Sequence, residues 1–127
     1  MAKSSRLTLK HEHSDQRGEI YSIAMPDGTE ILLQHSLAGA KRGGHHHDVD
    51  EVVVLLSGKM RYVKKAPNGQ EYAELLSAGG FSYNPAGLIH MGEFLEDGWL
   101  IEYKLGKQKE QVDYEPYRVQ VRASAGV

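Results

Sequence analysis

Three consecutive histidines, His45, His46 and His47, stand between Gly44 and Asp48, and Glu51 follows shortly after. On an extended strand, alternate side chains share a face, so His45 and His47 point one way and His46 the other. Glu51 has the parity of the pair, provided that no turn breaks the count. Two imidazoles and a carboxylate on one face make a borderline-to-hard donor set suited to Mn, Fe, Ni, Zn or Cu. A second stretch, GGFSYNPAGLIHMGEF, offers His90, which another strand of a barrel could bring to the same point from across the interior. Such a site keeps coordination positions open for substrate, water or dioxygen. A histidine run by itself is more often a solvated loop; the accompanying Glu51, His90 and glycines favour the metal. His11, His13 and His35 have no such company and read as surface or packed residues. His46, by parity, is a bystander.

The elements that would position these groups are short. Fourteen glycines punctuate runs such as GEIYSIAM, TEILLQHSLA, EVVVLLSG, KMRYVKK, QEYAELLSA, FSYNP and WLIEYKLG. Most alternate with period two or form a brief apolar run, bounded by Gly, Pro, Asn or Asp. PDG at Pro26–Gly28, PNG at Pro67–Gly69 and EDG at Glu96–Gly98 are turn chemistry. In WLIEYK, Trp99, Ile101 and Tyr103 share one face, and Leu100, Glu102 and Lys104 the other. No amphipathic helix stands out. Strands at roughly ten-residue spacing predict an all-β antiparallel sandwich or closed barrel. The tail is more charged; YRVQVR alternates and predicts one last strand, and RASAGV a frayed end.

A chain of 127 residues reads as a single domain, 1–127, able to bury a core without staples. The barrel core is expected at about 18–105, with 106–127 as a C-terminal extension. The absence of cysteine excludes disulfides, thiolate metal sites and a cysteine nucleophile. A net charge of −2 carries no basic field for nucleic acid. The first residues lack an apolar core of the signal-peptide type. The longest apolar run, Val52–Leu56, is too short to cross a bilayer. A soluble, cytoplasmic protein with no membrane or nucleic-acid partner is expected.

The spacing is more specific than the composition. Gly39, five residues, His45-His46-His47, three residues, Glu51, six residues, Gly58 reproduces the first cupin motif in full. Gly79, five residues, Pro85-Ala86-Gly87, two residues, His90 reproduces most of the second. The chain therefore resembles the cupin superfamily over about Gly18 to Leu105. The resemblance implies a small antiparallel β-barrel of jelly-roll type and one divalent transition metal held by His45, His47, Glu51 and His90. It also implies a homodimer. Where the second motif usually ends in Asn, this chain has Phe94.

A narrower resemblance, to nucleotide-sugar epimerase and ketoisomerase cupins, rests on Asp15-Gln16-Arg17-Gly18 and on Arg42-Gly43 before the histidines. It implies a metal-dependent isomerase or epimerase acting on a small oxygenated substrate, a sugar or sugar acid. Arg17 and Arg42 would then bind substrate, and Tyr83 and Tyr103 are candidate acid–base or positioning residues. The same donor set also serves mononuclear iron or manganese dioxygenases, and the fold serves non-catalytic ligand-binding cupins.

Overall fold

In the computed structural model, residues 8–127 are described. The strands are β1 (Leu9–Asp15), β2 (Gly18–Ala24), β3 (Glu30–Ser36), β4 (Lys41–His47), β5 (Asp50–Ser57), β6 (Lys59–Lys65), β7 (Glu71–Ser77), β8 (Phe81–Asn84), β9 (Ile89–Phe94), β10 (Gly98–Leu105) and β11 (Gln111–Asp113). A helix, α1 (Glu115–Ser124), ends the chain. The strands form two antiparallel sheets, in the orders β1-β2-β3-β10-β5-β8 and β11-β4-β9-β6-β7. The jelly-roll expectation holds with one correction: neither sheet closes on itself, so the interior lies between two facing sheets and not inside a ring.

Local chemistry explains the elements. β5 is rich in β-branched residues, which suit a pleated surface, and it turns Glu51, Val53 and Leu55 fully inward. The turns predicted at Pro26–Gly28 and Pro67–Gly69 form, whereas Gly98 opens the tenth strand: the Gly28 N–H donates to the Met25 carbonyl at 2.9 Å, the Asp27 carboxylate accepts from the Thr29 N–H at 2.9 Å, and the Gly69 N–H donates to the Ala66 carbonyl at 2.8 Å. Gly58, between β5 and β6, has φ +87°, and a Cβ there would fall 2.6 Å from the Asp97 carbonyl oxygen. Only glycine satisfies both the left-handed turn and the close approach.

Ala40, Val53, Leu55, Met60, Tyr62, Leu76, Phe94 and Leu100 pack together between the sheets. Burying a side chain such as Leu55 or Phe94 contributes about 1.5–3 kcal/mol. A second cluster forms outside the five-stranded sheet, where Val63 and Met91 meet Tyr117 and Val121 of α1.

That second cluster overturns the reading of the tail. YRVQVR is helical, and RASAGV contains the end of the helix. Pro116 sits in its first turn, where the missing N–H costs nothing. Tyr117 and Val121 are buried four residues apart, while Val119 is exposed. The alternation of Tyr117, Val119 and Val121 hid an i, i+4 pair. The extension is also joined to the sandwich, because β11 pairs with β4, setting Asp113 against His45 and Gln111 against His47.

Candidate metal centre

Three strands deliver the histidines and glutamate predicted from the motif spacing. β4 supplies His45 and His47, β5 supplies Glu51, and β9 supplies His90, which lies opposite His45 in the β4–β9 register. One ligating nitrogen from each of His45, His47 and His90 lies within 4.8 Å of the others. Glu51 is wholly buried against them, with Oε2 3.1 Å from His47 Nε2 and Oε1 3.3 Å from His90 Nε2. His46 sits on the opposite side of β4 and pairs in register with Val112.

The protonation pattern suits a cation. His90 Nδ1 lies 3.1 Å from the Leu88 carbonyl oxygen, so Nδ1 carries the hydrogen and donates. That orients Nε2 as a lone-pair donor toward the cluster, as an outer hydrogen bond does for a ligand imidazole. Burial, partly opposed by the charge of Glu51, lowers His90 to about 4; burial and the neighbouring histidines lower His45 to about 3. Both rings are therefore neutral near pH 7. Burial alone would raise Glu51, but the close approach of the His47 imidazole and nearby positive charges outweigh it and hold the carboxyl at about 2. Crowding and burial oppose charging His45 and His90. A bare Nε2 of His90 then faces a bare carboxylate oxygen at 3.3 Å. His45 Nδ1, both nitrogens of His47 and Glu51 Oε2 are also buried without a hydrogen-bond partner among the described residues. Each such group costs about 1–3 kcal/mol when unsatisfied. A divalent transition metal accepting three nitrogens and one oxygen relieves the inner conflicts, so the residues fit the ion that the motif implies.

The cluster opens into a chamber of about 240 Å³ lined by Gln34, Arg42, Tyr62, Glu102, Lys104 and Arg118, among others. A wider vestibule of about 650 Å³ adjoins it, and Leu32, Glu102 and Lys104 line both. Lys104 Nζ is 3.7 Å from Glu51 Oε2. Burial and the Glu51 charge raise the Glu102 carboxyl to about 8, so it holds a proton near neutrality. Asn84 Nδ2 donates to Glu51 Oε1 at 3.3 Å and to the Tyr62 hydroxyl at 3.1 Å.

The expected substrate residues part company here. Arg42 is 7% exposed and lines the chamber; Nε donates to Ser36 Oγ at 3.1 Å, but Nη1 and Nη2 have no partner among the described residues. Arg17 also lines the chamber, yet its guanidinium is engaged by Asp15 at 2.6 Å and by the Lys41 carbonyl oxygen at 3.0 Å. Tyr83 and Tyr103 are corrected: both lie on the outer side of the six-stranded sheet, opposite in parity to Glu51, Asn84 and Glu102. The Tyr83 hydroxyl donates to Asp50 there. The tyrosine of the chamber is Tyr62, stacked on His90 with ring centroids 6.0 Å apart. Phe94 belongs to the apolar core and not to the chamber wall. Tyr62, Asn84, Glu102, Lys104 and Arg118 escaped the sequence reading; the shared parity of Glu102 and Lys104 with Leu100 was the available signal.

No family model and no curated protein matches the chain. Solved structures do. A structure of CapF with the inhibitor 3-isopropenyl-tropolone is 24% identical, with TM-score 0.67, covering 82% of this chain and 31% of that one. The capsular polysaccharide assembling protein CapF from Staphylococcus aureus is 22% identical, with TM-score 0.67, covering 82% of this chain and 29% of its own. Oxalate decarboxylase from Bacillus subtilis, in a study of its Mn(II) centres, is 16% identical, with TM-score 0.72, covering 89% of this chain and 33% of its own. This chain thus spans about a third of the length of the proteins it resembles, and at such identities the likeness is one of fold.

Proposed function

We propose that this chain, which has the cupin fold, is a metal-dependent isomerase or epimerase of a small oxygenated substrate of the sugar or sugar-acid type. One observation carries the reading: a buried guanidinium with two free nitrogens and a carboxyl that retains its proton line the same small chamber as the ligand cluster. His45, His47, Glu51 and His90 would hold the ion, which when bound supplies Lewis acidity toward adjacent substrate oxygens. Arg42 binds and orients an acidic or carbonyl oxygen through a forked pair of hydrogen bonds. Glu102, at the throat between vestibule and chamber, holds a proton at its carboxyl and can exchange it with a substrate carbon or oxygen. The apolar lining from Met60 and Leu100 excludes water from one side.

The test is an anaerobic screen of keto-sugars and sugar acids with zinc- or manganese-loaded protein in deuterated solvent, followed by NMR. Isomerisation predicts deuterium in the product and no need for oxygen. Oxygen uptake by the iron form, with no exchange on any substrate, would replace this reading with a dioxygenase.

A second copy of this chain is the proposed partner. The six-stranded sheet turns Leu56, Phe81, Tyr83 and Trp99 outward, 47%, 67%, 42% and 37% exposed. Strand spacing and rise give a face of roughly 25 by 20 Å. A two-fold axis sets the patch against itself, as an isologous interface requires. Light scattering should find a dimer, and Phe81→Lys with Trp99→Lys a monomer. A monomeric wild type at micromolar concentration removes the proposal.

A further inference from the structure

The C-terminal helix does more than cover the five-stranded sheet. The Tyr114 N–H donates to the Gly44 carbonyl at 2.8 Å, which starts α1 directly over β4. Gly44 has φ +84°, and a Cβ there would lie 3.1 Å from Arg118 Cδ and 3.2 Å from the Arg118 backbone nitrogen. The paired glycines before the histidines therefore let the helix sit down on the strand. Arg118 Nη1 donates to the Gly43 carbonyl at 2.8 Å, between Arg42 and His45 in the chain. Arg118 Nε is buried and has no partner among the described residues.

Two guanidinium groups thus reach one chamber of about 240 Å³, and neither has a carboxylate within ion-pair distance among the described residues. The other cations of its wall are engaged: Arg17 by Asp15, and Lys104 by Glu51. Arg42, 7% exposed, keeps two nitrogens unpartnered among the described residues. Buried charge without a partner is costly, and an anion inside the chamber would satisfy both groups. The volume is below the roughly 300–1,000 Å³ of pockets for drug-sized ligands, so the anion is small.

Resting on the reading of the chamber as a substrate site, we propose that α1 is part of that site: Arg118 and Arg42 together hold the carboxylate of a small acidic substrate beside the histidine cluster. The helix then sets specificity, because it brings the second guanidinium from outside the sandwich.

Malonate is the probe, titrated calorimetrically into metal-free and into zinc-loaded protein, with metal content measured separately. The wild type should bind malonate at least tenfold more tightly than uncharged malonamide and more tightly than inorganic phosphate. Arg118→Gln should weaken malonate binding tenfold or more at unchanged metal content, and Arg118→Lys should restore part of the loss. A loss below tenfold in a folded Arg118→Gln, or a wild type that binds malonamide equally well, overturns the proposal. Tighter binding of phosphate overturns the carboxylate assignment. If Arg118→Gln does not fold, the malonate–malonamide comparison on wild type decides. A protein that takes no metal but discriminates between the two probes refutes the metal reading and leaves the arginine pair standing.

Discussion

The two ends of the space between the sheets differ in kind, although the same strands build both. β5 runs from Glu51 at one end to Val53 and Leu55 at the other; β9 runs from His90 to Phe94, and β10 from Lys104 and Glu102 to Leu100. The registers align the change: Lys104 faces Glu51 and Leu100 faces Leu55 across one ladder, while Lys64 faces His90 and Met60 faces Phe94 across another. The apolar end closes on itself and stabilises the fold. The polar end leaves lone pairs and guanidinium nitrogens unmatched among the described residues, which is tolerable where a cation and an anion are to be bound. The closed apolar core and the open polar chamber are thus segregated along each strand and not between elements.

Perturbations at the two ends should separate accordingly. The largest effect is expected from Phe94→Ala at the apolar end. It removes a side chain only 1% exposed and should lower unfolding free energy by about 3–5 kcal/mol, read from urea midpoints, with metal stoichiometry intact in the folded fraction. His90→Ala at the polar end should do the opposite. Metal affinity, by competition with a chromophoric chelator, should fall more than the roughly 10–100-fold typical of losing an outer partner, while apo stability changes little.

A smaller effect concerns pH. His45 and His90 are held at about 3 and about 4 in the fold, below the ordinary histidine value. Their contribution to stability is complete above that ordinary value and is lost as pH falls toward the folded ones. Glu102 is raised to about 8, so its contribution is complete in the acid range and is lost as pH rises through about 8. The two oppose each other from about pH 6.5 down to about pH 4.5. Metal-free Glu102→Gln should therefore lose stability on acidification from pH 7.5 to pH 5.5, by roughly 3 kcal/mol for two imidazoles, where the wild type stays flatter. Equal slopes in the two proteins would contradict the assigned shift of Glu102. The least effect belongs to His46→Ala, which faces away from the chamber; metal content by elemental analysis should be unchanged.

Much of the polar end is legible in the chain. The spacing of His45, His47 and Glu51 around a tight turn, and of His90 after Pro85 and Gly87, specifies the candidate ligands without coordinates. Turns at Gly28 and Gly69 were likewise readable, because their chemistry is local. The rest of the chamber was not. Alternation in WLIEYK says that Glu102 and Lys104 share a face with Leu100, but hydropathy favours the wrong side as interior, since Trp99, Ile101 and Tyr103 are the more apolar set. The same ambiguity placed Tyr83 and Tyr103 at the site and left Tyr62 unnoticed. The tail misled because Val119, exposed, falls between two buried residues.

What the sequence by itself determined is the set of short strands, their turns and the four candidate ligands, all governed by backbone preference and by the period of two along a strand. What only the tertiary structure decided is which face of β10 lies inward and that α1 rests on β4, placing Arg118 beside Arg42. Those outcomes depend on which sheet packs against which, and on contacts between residues as distant in sequence as Gly44 and Arg118. No local preference encodes them, because the free energy that selects them comes from burial shared across the whole sandwich.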